Sequence, residues 1–156
     1  MNREEKKGEK REMRENKVLK ALEIATEVHE GMYDKQGRPY IEHPVYVALS
    51  LSTEEEKIVA LLHDTIEDTD LTLEEIRKDF GDNITKAVDA LTHKKGVKYM
   101  DYIENIKKNP LARAVKLADL EHNMDISRIP NPKQVDFDRI KKYKKAKEVL
   151  LNVSIL

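Results

Sequence analysis

Cysteine and tryptophan are absent from the sequence, and only two phenylalanines occur. Without cysteine the chain forms no disulfide and offers no thiolate ligand, so any metal ion must be bound by imidazole and carboxylate groups. No stretch approaches the roughly 18 apolar residues of a membrane-spanning helix, and no apolar segment typical of a signal peptide is present. We therefore expect a cytoplasmic protein without a membrane partner.

The chain also lacks an excess of charge of one sign. Its 29 basic and 30 acidic side chains give a formal net charge of −1. Domains that bind a nucleic-acid duplex usually carry a strong positive field, so a duplex is not an expected partner. Charged residues nevertheless make up 38% of the chain, which predicts a strongly hydrated surface.

The length of 156 residues suits one domain with a real core. Residues 1–16 carry eleven charged side chains and almost nothing apolar, so we expect a charged tail or a solvated helical extension there. The domain itself is expected over residues 17–156.

Apolar residues recur at helical spacing along most of this domain, between capping residues, glycines and prolines. A convincing alternating strand pattern and an internal repeat are both lacking. The sequence therefore predicts an all-α protein, a single compact helical bundle. Helices are expected over residues 18–31, from 44, from a capping box at 52–55, over 72–81, 84–91, 99–107 and 110–127, and from about 137 to 151.

Four ionisable residues crowd the end of the most apolar predicted helix: His63, Asp64, Glu67 and Asp68. Residues three and four apart share a helix face, so these groups are able to face one cavity. Carboxylates held that close repel one another unless a cation or a proton lies among them. Taken alone, the cluster fits a helix end that reaches solvent as well as it fits a site.

Two other positions favour a site. His43 lies between an aromatic and proline-containing loop and a predicted helix start. Asp119 follows the apolar stripe of another predicted helix, where an unpaired buried carboxylate would be expensive, and His122 and Asn123 share its face. A set of imidazoles and carboxylates suits Mn²⁺, Fe²⁺, Zn²⁺ or Ni²⁺ better than Ca²⁺ or Mg²⁺, which prefer oxygen ligands.

Three ordered segments carry a resemblance to a known family: GRPYIEHP at 37–44, ALLHDTIEDT at 60–69 and VKLADLEHNM at 115–124. They resemble the motifs of the HD-domain metal-dependent phosphohydrolases, and more closely those of the hydrolase domain of the RelA/SpoT alarmone enzymes and their stand-alone small relatives. The resemblance covers roughly residues 18–130. It implies an HD-type helical bundle that hydrolyses phosphate esters or pyrophosphates.

The resemblance also implies roles for single residues. The positions that match the family's metal ligands are His43, His63, Asp64 and Asp119, and the usual metal is Mn²⁺. Glu67 and Asp68 match a pair that orients or deprotonates the attacking water. Lys35 and Asn123 match residues that contact the nucleotide substrate.

Two positions depart from the family pattern. Asp34 stands where an arginine usually precedes the loop lysine, and Leu120 stands where an arginine usually follows the third-motif aspartate. The leading expectation is removal of the 3′-pyrophosphate from (p)ppGpp. The alternatives are a phosphatase for another nucleotide or an NADPH-like cofactor, and an inactive helical module that binds metal or nucleotide. The sequence leaves the oligomeric state and the roles of the charged tail and the basic C-terminal helix open.

Overall fold

The computed structural model describes residues 17–152, apart from the side chain of Asp68. The charged segment 1–16 lies outside the described residues. The helices are α1 (17–28), α2 (Glu42–Leu49), α3 (Glu54–Leu62), α4 (Thr65–Asp68), α5 (Leu73–Phe80), α6 (Asp82–Leu91), α7 (Tyr99–Lys107), α8 (Pro110–Asn123) and α9 (Gln134–Leu151), with a 3-10 turn at Ile126–Arg128.

The expected all-α fold is confirmed over the described residues. Their only extended pairing is an isolated bridge between Tyr33 and Pro39 in the loop after α1. No helix within residues 17–152 has the length and apolar character required to cross a membrane.

Helices α3 and α8 form the centre of the bundle. Residues 58–62 of α3 are all buried, which fits their nearly continuous apolar sequence. Helix α3 packs against α2, α6 and α8, and α8 packs in addition against α6, α7 and α9. Full burial of a side chain such as Leu62 contributes about 1.5–3 kcal/mol to the free energy of folding. The packed centre therefore holds the residues that follow each helix in place.

Helix α2 begins earlier than the sequence predicts. It starts at Glu42, so Pro44 is its third residue and His43 lies inside the first turn instead of ending the loop. Proline is tolerated at this position because the first N–H groups of a helix have no intrahelical partner. The imidazole of His43 is thus carried by a helix.

Two other boundaries also differ from the predicted ones. Helix α8 ends at Asn123, because the Asp125 carboxylate accepts hydrogen bonds from the backbone and hydroxyl of Ser127 and starts a separate turn. Helix α9 begins at Gln134, since the Asp136 carboxylate accepts a 2.9 Å hydrogen bond from the backbone N–H of Lys133.

The helix expected to carry the His63 cluster is broken at that cluster. Helix α3 ends at Leu62, and His63 and Asp64 form the junction with the short helix α4. The Thr65 hydroxyl stabilises the junction by donating a 2.6 Å hydrogen bond to the Leu62 carbonyl. Glu67 therefore lies on a helix of its own.

The capping box of α3 is shifted by one residue from the predicted one. The Thr53 hydroxyl accepts a 3.1 Å hydrogen bond from the Glu56 N–H, and the Glu56 carboxylate accepts a 2.9 Å bond from the Thr53 N–H. The expected box at residues 52–55 is wrong in register, and Ser52 precedes the cap.

We expect Thr53→Ala to lower the free energy of unfolding by about 1 kcal/mol, because it removes the side-chain acceptor of the Glu56 N–H in the first turn of α3. The matched variant Ser52→Ala should change it by less than about 0.5 kcal/mol. Urea unfolding followed by circular dichroism measures both. An equal loss in the two variants would contradict the observed cap.

Candidate metal centre and adjoining clefts

Three side chains from distant parts of the sequence meet between α2, α3 and α8. They are His43, His63 and Asp119, whose ligand atoms all lie within 4.8 Å of one another. His43 Nε2 lies 2.6 Å from Asp119 Oδ1, and His63 Nε2 lies 3.5 Å from the same oxygen. His63 and Asp119 are buried. The structure thus brings three of the four expected metal ligands together.

Asp64, the fourth expected ligand, lies beside this group. Its Oδ2 atom is 3.3 Å from His63 Nε2 and accepts a 2.7 Å hydrogen bond from the Tyr40 hydroxyl. Tyr40 belongs to the quoted segment 37–44 but was not among the predicted site residues. The sequence signal was its place three residues before His43, and the contact with Asp64 needs the folded loop.

The ring of His63 has one nitrogen satisfied and one facing the carboxylates. Its Nδ1 atom donates to the Ala60 carbonyl, so the lone pair of a neutral ring is on Nε2. Among the residues that the structure describes, that buried Nε2 atom has no hydrogen-bond partner, although Asp64 and Asp119 are close. A lone pair that faces carboxylates is repelled, so this arrangement fits a cation at Nε2, either a proton or a metal ion.

The protonated ring is stabilised in the absence of metal. Burial lowers the pKa of His63, but the charges of Asp64 and Asp119 outweigh it and raise the pKa from 6.5 to about 9. The donor set of imidazole nitrogens and carboxylate oxygens is suited to a divalent transition metal, which would take the place of that proton.

Lys116 neutralises the buried carboxylate from the other side. Its Nζ atom lies 3.1 Å from Asp119 Oδ2, and Asn123 Nδ2 lies 3.4 Å from Oδ1. Burial opposes ionisation of Asp119, but Lys116 and the two histidines hold the pKa of this carboxyl well below its ordinary value. Burial likewise opposes the charge on Lys116, whose pKa Asp119 nevertheless raises. Sequence reasoning missed Lys116, for which the signal was its spacing of three from Asp119.

His122 is a second residue whose contact was missed. Its Nδ1 atom lies 2.6 Å from His43 Nδ1, and its ring stacks on Tyr46 with centroids 4.0 Å apart. Burial, together with the neighbouring His43 and Arg128, lowers the pKa of His122 from 6.5 to about 4. The sequence showed only that His122 shares a helix face with Asp119.

A first cleft of about 380 Å³ opens on the His43 side of the cluster. Both expected substrate contacts line it, Lys35 from the loop before α2 and Asn123 from the end of α8. Among residues 17–152, Asp68 apart, the charged side chains of the lining are four cations and four carboxylates: Lys35, Lys116, Arg128 and Arg139, and Asp34, Asp64, Asp119 and Asp125.

Asp34 organises the loop that carries Lys35. Its Oδ1 atom accepts 2.9 Å hydrogen bonds from the backbone N–H groups of Gln36 and Arg38. The Asp34 N–H also donates to the Arg38 carbonyl at 2.8 Å. The residue that departs from the family pattern is therefore the local brace of this loop.

A second cleft of about 220 Å³ lies on the His63 side. Glu67 lines it together with His63 and Asp64, as the expectation of one shared cavity requires. The Glu67 carboxylate accepts a 2.5 Å hydrogen bond from the His93 N–H. The side chain of Asp68 lies outside the described residues. Four residues line both clefts, which therefore adjoin at the cluster: Asp64, Lys116, Asn123 and Tyr143.

The raised pKa of His63 predicts a pH dependence of stability in chelator-treated protein. Because the folded-state pKa of about 9 exceeds the ordinary 6.5, the stabilisation is complete below pH 6.5 and is lost as the pH rises through 9. Between pH 7 and 10 the free energy of unfolding in urea should fall by roughly 2 kcal/mol more in the wild type than in His63→Gln. Equal pH slopes would mean that His63 is neutral in the metal-free protein.

The sequence of this chain is similar to those of known proteins. The family model described as HD domain matches residues 21–139. A GTP pyrophosphokinase of Streptomyces coelicolor is 36% identical over 85% of this chain and 16% of its own length. A guanosine-3′,5′-bis(diphosphate) 3′-pyrophosphohydrolase of Borreliella burgdorferi is 37% identical over 85% of the chain and 22% of its own length. The chain thus spans about a fifth or less of these curated relatives.

A solved structure extends the likeness to nearly the whole chain. It is that of a metazoan ortholog of SpoT, which hydrolyses ppGpp and plays a role in starvation responses. It matches with a TM-score of 0.73 and 27% identity, over 89% of this chain and 88% of the other. Since the matched family model runs from α1 into α9 and includes every residue of the cluster, the chain belongs to the HD-domain family.

Proposed function

We propose that this chain is a metal-dependent phosphohydrolase that removes the 3′-pyrophosphate of a (p)ppGpp-type guanosine nucleotide. The names of its relatives, which include 3′-pyrophosphohydrolases, and the ppGpp-hydrolysing structural neighbour support this reading. A cytoplasmic location and a small nucleotide as partner, both expected from the sequence, are part of the proposal.

The observation that carries the proposal is the buried Nε2 atom of His63, which faces two carboxylates and has no hydrogen-bond partner within the described part of the chain. Membership of the HD-domain family implies a divalent metal. The position of His63 Nε2 supports binding of that metal between His43, His63 and Asp119. We infer that the metal is Mn²⁺ and that its ligands are His43, His63, Asp64 and Asp119.

A divalent ion bound there would lower the pKa of a coordinated water from about 15.7 toward about 7 and polarise a phosphoryl oxygen. Glu67, which lines the same cleft as His63 and Asp64, would hold the attacking water and accept its proton, with Asp68 beside it in sequence. Attack at phosphorus breaks the bond to the 3′ oxygen. The oxygen of water leaves with pyrophosphate, and the 3′ oxygen gains a proton.

The charges of the first cleft support an anionic substrate once a metal is bound. The four cations and four carboxylates among the described residues of its lining cancel, so a divalent ion would leave this part of the lining positive. Lys35 and Asn123 would hold the nucleotide, and Lys116 would offset phosphate charge near the cluster, because buried cations act strongly in a low dielectric.

Asp34 favours a second candidate function, a phosphatase for another nucleotide or an NADPH-like cofactor. Its carboxylate lines the first cleft, where the related enzymes usually present an arginine to the base. A carboxylate accepts hydrogen bonds where an arginine donates them, so this end of the cleft should favour a different base. It also repels phosphate, so fewer phosphate groups should be favoured there.

Metal content and turnover should separate the proposed roles. Asp64→Ala should weaken Mn²⁺ binding and abolish hydrolysis, because it removes a ligand, whereas Glu67→Gln should keep the metal and lower kcat by about 10²–10⁴-fold. Equilibrium dialysis with elemental analysis measures the metal. A nucleotide panel assayed for released pyrophosphate and phosphate measures turnover.

Asp70→Ala is the matched control, since Asp70 is an exposed aspartate just after α4 and should leave both properties unchanged. Pyrophosphate released from ppGpp supports the first function, and phosphate released from other nucleotides alone supports the second. A wild-type protein that shows neither metal binding nor turnover would contradict both hydrolase functions. The remaining alternative would then be an inactive module that binds a nucleotide.

The negative charge of Asp34 and its hydrogen bonds within the loop can be tested separately. Asp34→Asn keeps an oxygen that accepts from the Gln36 and Arg38 N–H groups but removes the negative charge, so the KM for ppGpp should fall severalfold with little change in kcat. Asp34→Ala loses both, so its KM should exceed that of Asp34→Asn because the Lys35 loop is released. Steady-state kinetics decides, and an unchanged KM in both variants would show that this loop does not meet the substrate.

A further inference from the structure

Two histidine rings from different helices meet edge to edge at the candidate metal centre. His43 Nδ1, from the first turn of α2, lies 2.6 Å from His122 Nδ1, from the last turn of α8. The two rings are nearly parallel, at 12°. His122 is not part of the group formed by His43, His63 and Asp119, so its role differs from that of a third nitrogen ligand.

The distance between the two Nδ1 atoms restricts where the protons lie. At 2.6 Å one nitrogen must carry the hydrogen and the other must offer a lone pair. The opposite nitrogen of His43, Nε2, is 2.6 Å from Asp119 Oδ1 at the centre. A neutral imidazole binds a metal through a nitrogen without hydrogen, so a metal at Nε2 requires the hydrogen of His43 on Nδ1. His122 Nδ1 must then be the acceptor.

The surroundings of His122 hold its ring in the position that accepts this bond. Tyr46, one turn after His43 on α2, stacks on the ring with centroids 4.0 Å apart and planes at 20°. Arg128 Nη1 donates a 2.9 Å hydrogen bond to the His122 carbonyl and fixes the end of α8. The ring therefore has a fixed plane and direction relative to His43.

From these contacts we infer that His122 is a positioning residue, which accepts the Nδ1–H of His43 and so fixes the tautomer and direction in which His43 presents Nε2 to the metal. The inference rests on the metal centre proposed above. Groups that accept the second N–H of a metal-binding histidine orient the ring and increase its basicity, and their loss typically lowers metal affinity about 10–100-fold.

Two substitutions of His122 separate hydrogen bonding from packing. His122→Phe keeps a planar ring against Tyr46 but offers no acceptor, so it should weaken Mn²⁺ binding about 10–100-fold. In His122→Asn, the side-chain oxygen lies close to the position of the lost Nδ1, so we expect affinity close to that of the wild type. Competition with a metal-binding dye measures affinity, and thermal melting in chelator measures folding of each variant.

Nitrogen spectroscopy of the histidine rings tests the tautomers in the wild-type protein itself. With protein labelled with ¹⁵N at histidine and loaded with diamagnetic Zn²⁺, the hydrogen should be on Nδ1 of His43 and on Nε2 of His122. The opposite assignment would overturn the inference even if His122→Phe failed to fold.

The remaining outcomes are equally decisive. Wild-type affinity in His122→Phe, or an equal loss in the phenylalanine and asparagine variants, would overturn the positioning role while leaving the metal centre intact. A wild-type protein that binds neither Mn²⁺ nor Zn²⁺ would overturn the metal centre and this inference together.

Discussion

The buried carboxylate of Asp119 is the interaction on which the rest of the site depends. It is 4% exposed, and a charge so removed from water is tolerated only with close partners of opposite sign or hydrogen-bond donors. His43 and His63 supply them from the neighbouring helix start and helix junction, and Lys116 and Asn123 supply them from α8 itself. Loss of the pairing would leave a carboxylate in the core of the bundle. The packing of α2 and α3 on α8 is therefore tied to the electrostatics of this one group.

Because the carboxylates lie so close to His63, a proton and a metal ion compete for its Nε2 atom. Its Nε2 atom faces Asp64 and Asp119, and those carboxylates raise the pKa of His63 to about 9. A group that binds a proton so firmly at neutral pH must release it to bind a metal, so metal affinity and pH are linked. The fold stabilises a cation at this point irrespective of which cation it is. That stabilisation relates the structural role of the cluster to its proposed chemical role.

Much of the fold could be predicted from the sequence, because its signals are local. The capping box of Thr72 and Glu75 and the Asn109 cap before Pro110 both occur as expected, since each involves residues three positions apart. The break after Leu62 could not be predicted, because no glycine or proline marks it and the sequence does not show that the Thr65 hydroxyl donates to the Leu62 carbonyl. Helical spacing alone favoured a continuous helix there.

In the site, the residues of the motifs could be predicted from the sequence, whereas the roles of their neighbours could not. Resemblance to the family's motifs selected His43, His63, Asp64 and Asp119. The fold groups the two histidines with Asp119 and places Asp64 beside them. Two residues that contact them were missed for different reasons. Lys116 is a local partner, three positions before Asp119 on α8, whereas the contact of His122 with His43 depends on tertiary packing. Spacing places His122 beside Asp119 on α8, but only the packing of α8 on α2 places it against a residue 79 positions earlier.

The separation of local and long-range contacts also bears on how substrate choice can change within this family. The brace made by Asp34 joins it to Gln36 and Arg38, two and four residues on. The bond between His43 and Asp119 spans 76 positions and lies in the core. A substitution at Asp34 therefore reshapes one wall of the first cleft without disturbing the cluster, whereas a substitution at Asp119 disturbs three helices. The loop proposed to meet the substrate is free to diverge because the residues proposed for the chemistry are anchored elsewhere.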